Sequence, residues 1–202
     1  MLNPNFVIVG VIIGFAGNLT YVISTLRGKT RPNRVSWFMW TLAPYIAFAA
    51  QLHQHVGIQA LLTFMAGTCP LLVLIVSLVN RKAVWRLTPF DFLCGILSMF
   101  GLALWLITKH GDIAIVFSIA ADGMAAIPTI KKSYTHPESE GWLNYLAAAT
   151  AAGITLLTIK NWTFARYGFS LYLLLVCLLL TALVRFKIGP HRRSARARNI
   201  LL

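Results

Sequence analysis

Seven apolar stretches constrain this chain before anything else does. They run about 6–26, 35–52, 57–79, 91–108, 112–130, 142–159 and 167–184. Each is roughly 17–23 residues long with few charges, the length an α-helix needs to cross the hydrocarbon of a bilayer. The connections between them are short and leave little room for a soluble domain. Only 11% of the 202 residues are charged, and the mean hydropathy is +0.73. A soluble domain carries roughly 25% charged residues to cover its surface. The expected fold class is therefore an all-α polytopic membrane protein with seven transmembrane helices. The second stretch is the least apolar, with Pro44 and two Trp. The sixth, rich in Ala and Thr, suits burial inside a bundle.

The net charge of +13 would point to nucleic acid in a soluble protein. Its distribution says otherwise. Alternate connections carry Arg27, Lys29, Arg31 and Arg34; Arg81, Lys82 and Arg86; Lys131 and Lys132; and, after the last stretch, Arg185, Lys187, Arg192, Arg193, Arg196 and Arg198. The opposite side holds only Lys109, Lys160 and Arg166. The positive-inside rule then predicts an N-terminus outside and a C-terminus in the cytoplasm, most simply in a plasma (inner) membrane. Seven spans satisfy that orientation. The basic residues orient the helices and attract anionic lipid, so no nucleic-acid partner is expected. The opening MLNPNF has no basic segment before the first span, which argues for a retained helix and against a cleaved signal peptide.

Other candidate sites carry less. Cys69, Cys94 and Cys177 are an odd number at apolar positions, read as packing residues with neither disulfide nor metal. His53 and His55 lack a third ligand nearby, so no metal site is expected. Asn161-Trp-Thr163 fits a glycosylation acceptor but sits close to a membrane surface. No Gly-rich phosphate loop and no grouped Ser, His and Asp appear, so neither an enzyme nor a cofactor is expected.

An internal repeat organises the chain further. GNLTYVISTLRGKTRPNRVSWFMW parallels ADGMAAIPTIKKSYTHPESEGWLNY. Asn18 aligns with Asp122, Thr25 with Thr129 and Arg27 with Lys131 at an offset of 104. After one inserted residue, Pro32 aligns with Pro137, Ser36 with Gly141, Trp37 with Trp142 and Trp40 with Tyr145. Spans one to three and five to seven then form two parallel three-helix repeats, with span four as the inverting linker. The expected units are 1–90, a linker 91–110, 111–189 and a basic tail 190–202. Parallel repeats of this kind hold transporter sites between them, near the bilayer midplane.

This 3+1+3 plan, the N-out orientation and the Pro-containing helix–loop–helix resemble the SWEET and PQ-loop superfamily of transporters. That superfamily ends the first helix of each repeat in a Pro-Gln pair; here Pro128-Thr129 and Ser24-Thr25 stand there. Nicotinamide riboside transporters have a similar plan, and Trp37-Phe-Met-Trp40 resembles their Trp-x-x-Trp segment. The resemblance implies a facilitator or proton-coupled carrier for a small polar solute such as a sugar or nucleoside. A non-transporting receptor or scaffold on the same fold is the alternative, and either could form a homo-oligomer.

The candidate binding residues are Asn18, Tyr21, Trp40, Asp122 and Asn144. Asp122 is an acid deep inside a span, where a lone carboxylate costs roughly 3 kcal/mol on insertion scales. It must face protein or water. One reading is substrate contact or a proton site; the other is a packing residue bonded to Asn18. Gly10, Gly14, Asn18, Tyr21 and Thr25 share a helix face, as do Ser118, Asp122, Ala125 and Thr129. Such stripes suit either a cavity wall or close helix packing. Asn144 could cap its helix or line an inner gate. Trp37 and Trp142 read as interface anchors, and Trp40, one turn deeper, as a pocket residue. Pro44 and Pro128 are the candidate hinges, static kinks being the alternative. Glu138 and Glu140, beside Lys131 and Lys132, are expected to form solvated or inter-loop ion pairs that could latch an inner gate.

Overall fold

A computed structural model describes residues 2–80, 85–108 and 111–189. The expectations for Arg81, Lys82, Lys109 and the tail 190–202 lie outside the described residues. Seven α-helices and no strand occur among those described: α1 (Phe6–Leu26), α2 (Arg34–His53), α3 (Ala60–Val79), α4 (Pro89–Thr108), α5 (Gly111–Thr135), α6 (Trp142–Leu157) and α7 (Phe164–Phe186). Short 3-10 turns precede α3 at Gly57–Gln59 and α6 at Pro137–Ser139. Every apolar stretch of the sequence has become a helix.

Among the described residues, four helical segments are long and apolar enough to cross a membrane: Phe6–Leu26, Gly57–Val79, Gly111–Thr135 and Phe164–Phe186. α6 is apolar but short, and α2 carries Arg34, Gln51 and His53 within its length. The bundle's outer faces are apolar. Ile12, Leu78, Ile96, Leu157 and Leu175 are all more than half exposed. A water-facing surface does not sustain so many large apolar side chains.

Local sequence explains the helix ends. Asn33 caps α2, its Oδ1 accepting from Val35 N at 3.1 Å and Ser36 N at 3.4 Å. Its Nδ2 donates to Asp91 Oδ1 at 2.9 Å, which ties the start of α4 to the start of α2. α5 runs five residues past the expected span. Lys131 and Lys132, expected in a loop, therefore lie in its last turns, where a cation suits the helix dipole. α2, α3 and α5 each continue through their proline, Pro44, Pro70 and Pro128.

The helix contacts repeat. α1 packs on α3, and α3 on α2; α5 packs on α7, and α7 on α6. Across the middle, α1 packs on α6 and α2 on α5. Exchanging the first three helices for the last three reproduces this pattern. α4 packs on α5 and, more lightly, on α2.

The helix ends sort into two groups. At one end, Arg31 N donates to Ser139 O at 3.0 Å, Asn80 Nδ2 to Thr25 O at 2.8 Å, and Arg185 lies 5.3 Å from the Trp142 ring. At the other, Leu2 N donates to Leu157 O and Gln51 Nε2 to Ala165 O, both at 3.0 Å. The first end collects Arg27, Lys29, Arg31, Arg34, Lys131, Lys132 and Arg185.

Small residues let α1 and α6 approach closely. A Cβ on Gly10 would lie 3.2 Å from Ala151 O, and one on Gly17 would overlap Ala147 Cβ. Gly17→Leu should therefore destabilise the bundle by about 1–3 kcal/mol. Thermal melting in detergent checks this against Gly153→Leu, where the nearest atom is Leu174 Cδ1 at 3.9 Å.

Candidate functional site

The two polar stripes are buried, and each brings one polar side chain, Asn18 and Asp122, to a cavity between the helices. On α1, Asn18, Tyr21 and Thr25 are buried; on α5, Ser118, Asp122, Ala125 and Thr129 are buried. The space inside it that water can occupy is about 90 Å³. Its wall takes Phe15 and Asn18 from α1, Trp37, Trp40 and Pro44 from α2, and Met65, Cys69 and Pro70 from α3. The second half of the chain supplies Asp122 from α5, Asn144 and Tyr145 from α6, and Phe169 and Cys177 from α7. Among the described residues no Lys, Arg or His lines it.

The polar groups on this wall are only partly satisfied. Asn18 Nδ2 donates to Cys69 O at 3.1 Å, while Asn18 Oδ1 has no partner. The indole N–H of Trp37 also has none. Both are free to bond a solute or water in the cavity. Trp40 Nε1 donates to the backbone carbonyl of Asp122 at 3.2 Å. The Asp122 carboxylate accepts from Tyr172 of α7 at 2.6 Å. Asp122 thus fastens α5 to both α2 and α7. The expected bond between Asp122 and Asn18 is corrected here, because each side chain has its partner within its own half; a packing role for Asp122, bonded to Tyr172, stands beside the cavity role.

Toward the basic end the cavity is closed by a buried cluster. Trp37 lies against Tyr21, with ring centroids 4.8 Å apart, and meets Trp40 edge-on at 5.4 Å. Beyond them sits Glu140. Its Oε2 accepts from Tyr21 at 2.7 Å and from Tyr145 at 2.8 Å. Its Oε1 pairs with Lys132 Nζ at 2.6 Å. Lys132 Nζ also donates to Arg31 O and lies 4.7 Å from the centre of the Trp85 ring. The side chains of Lys132 and Glu140 are 1% and 0% exposed. One carboxylate therefore gathers α1, α5, α6 and the α1–α2 connection.

Of the candidate residues, Asn18, Trp40, Pro44, Asp122 and Asn144 come together on the cavity wall. Tyr21 lies outside the wall, in the closing cluster, and Pro128 is buried in α5 away from it. Trp37, read as an interface anchor, is 2% exposed and belongs to the core. The solvated reading of Glu140 is likewise corrected. The turn Pro137–Ser139 swings Glu140 inward to meet Lys132.

Sequence reasoning set Lys132 beside Glu140 but did not foresee that the pair is buried, and it missed Tyr145, Phe169 and Tyr172. A signal existed for Lys132, which continues the stripe Ser118, Asp122, Ala125, Thr129 at helical spacing. Phe169 and Tyr172 sit in an apolar run with no such mark. The chain matches no protein-family model, and comparison with curated proteins and with solved structures finds no match either.

Proposed function

We propose that this protein is a membrane transporter that moves a small polar solute by alternating access. In this reading all seven helices span the bilayer as two parallel three-helix repeats, α1–α3 and α5–α7, joined by α4. The N-terminus lies outside and the basic end faces the cytoplasm. The observation that carries the proposal is the cavity itself. It lies between the two halves, presents unpartnered polar atoms at Asn18 and Trp37, and is closed at one end by a cluster joining both halves. The two unpartnered polar atoms on an otherwise mostly apolar wall cost free energy to bury, a cost that a bound solute would offset. A carrier needs groups that a solute can satisfy, and a closure that can be undone.

Uptake into proteoliposomes tests this. Labelled ribose, glucose, uridine and choline are offered to vesicles with and without the protein. Saturable uptake of at least one solute, blocked by thiol reagents that reach Cys69 or Cys177, is expected. Uptake indistinguishable from empty vesicles for all four would overturn the proposal and favour a receptor or scaffold.

A further inference from the structure

We infer that the cavity binds a small organic cation, its positive group on the Asp122 carboxylate and its apolar body against the aromatic wall. The inference rests on the transporter reading of the same cavity and narrows its solute class. Three features of the wall converge on it.

The first is charge. Among the described residues, Asp122 is the one acid on the wall, and no basic side chain lines the cavity to neutralise it. Among the described residues its side-chain partner is the Tyr172 hydroxyl at 2.6 Å. The ion pair of the closing cluster is already self-contained, with Glu140 taken up by Lys132, Tyr21 and Tyr145. An acid in a site of low dielectric, without a fixed counter-charge, favours a ligand that brings one.

The second is the wall's aromatic content. Trp40 donates its indole N–H to the backbone carbonyl of Asp122, which holds the ring against α5 at that residue, and both residues line the cavity. Phe169 supplies another ring from α7 and Trp37 a third from α2. Aromatic rings attract cations through their quadrupole, most strongly when water is excluded, and cages of such rings recognise ammonium groups. A neutral sugar would find few donors and acceptors among these rings.

The third is the unpartnered acceptor. Asn18 Oδ1 is buried on the wall without a donor. An N–H or O–H of the ligand would satisfy it, and the unpartnered Trp37 N–H would satisfy a ligand oxygen. Together these favour a compact ammonium compound carrying one further polar group.

Equilibrium binding on the purified full-length protein tests this with two probes of equal shape. Choline carries a quaternary nitrogen; 3,3-dimethylbutan-1-ol has carbon in its place. Both are titrated by tryptophan fluorescence, with benzyltrimethylammonium as a larger cation. The expected result is that choline or benzyltrimethylammonium binds at least about tenfold more tightly than the neutral alcohol. Asp122→Asn, which keeps an acceptor for Tyr172, should collapse that preference to near unity. Equal affinities in the wild type, a preference that survives Asp122→Asn, or no saturable binding of either cation would overturn the inference. The wild-type comparison stands even if the variant fails to fold. The outcomes also separate the two claims. Cation binding without uptake removes transport and keeps the site. Uptake of a neutral solute without cation preference removes the site and keeps transport.

Discussion

Glu140→Ala should lower the stability of the protein by about 3–5 kcal/mol, the cost of breaking a buried ion pair from one side. The magnitude follows from what the substitution strands. Lys132 Nζ would keep Arg31 O and the Trp85 ring but lose its counter-charge in a site where its side chain is 1% exposed. The Tyr21 and Tyr145 hydroxyls would each lose the acceptor they now hold at 2.7 and 2.8 Å. Buried orphaned donors cost about 1–3 kcal/mol apiece unless water reaches them. Adding Lys132→Met should recover part of the loss, because removing both charges leaves no unpaired ion. Thermal melting of the single and double variants in detergent provides the check. A single variant that melts with the wild type would mean that Glu140 is solvated, and the double variant would then show no recovery.

The second large effect concerns movement. Arg31 N donates to Ser139 O at 3.0 Å, which brings the two connections to backbone-pairing separation of about 5 Å. A disulfide spans that distance. In a background with Cys69, Cys94 and Cys177 replaced by Ala, Arg31→Cys with Ser139→Cys should cross-link the closed end. Oxidation should then lower solute uptake at least tenfold, and reductant should restore it. The reversibility distinguishes a locked gate from a damaged fold. Undiminished uptake in a fully cross-linked sample would show that this end does not open during transport.

The helices were legible because hydrophobic runs of span length have few other fates. The sequence-predicted first span, 6–26, coincides with α1, and the others differ by a few residues at their ends. The repeat was legible because polar and proline positions recur at a near-constant offset, and the symmetric helix contacts follow the same offset. Half of the site followed from stripes at helical spacing, which placed Asn18 and Asp122 inward. The rest depended on tertiary partners. Trp37 sits at the start of a helix, where an anchor is the ordinary reading, yet packing of Tyr21 against it draws it into the core. Glu140 looked solvated because it lies in a polar connection. Only the folded arrangement shows that α1, α5 and α6 converge on it. Phe169 carries no local mark, and its place on the wall is set by how α7 packs.

Alternating access requires the cavity to open in turn to the two faces. The native thiols Cys69 and Cys177 line the cavity and report on this directly. Single-cysteine versions, each retaining one of the two, are placed in spheroplasts and in inside-out vesicles. A small membrane-impermeant methanethiosulfonate is then applied to each. The account predicts labelling from both faces, and faster labelling from the basic face when Glu140→Gln weakens the closing cluster. Labelling from one face only, unchanged by Glu140→Gln, would contradict it.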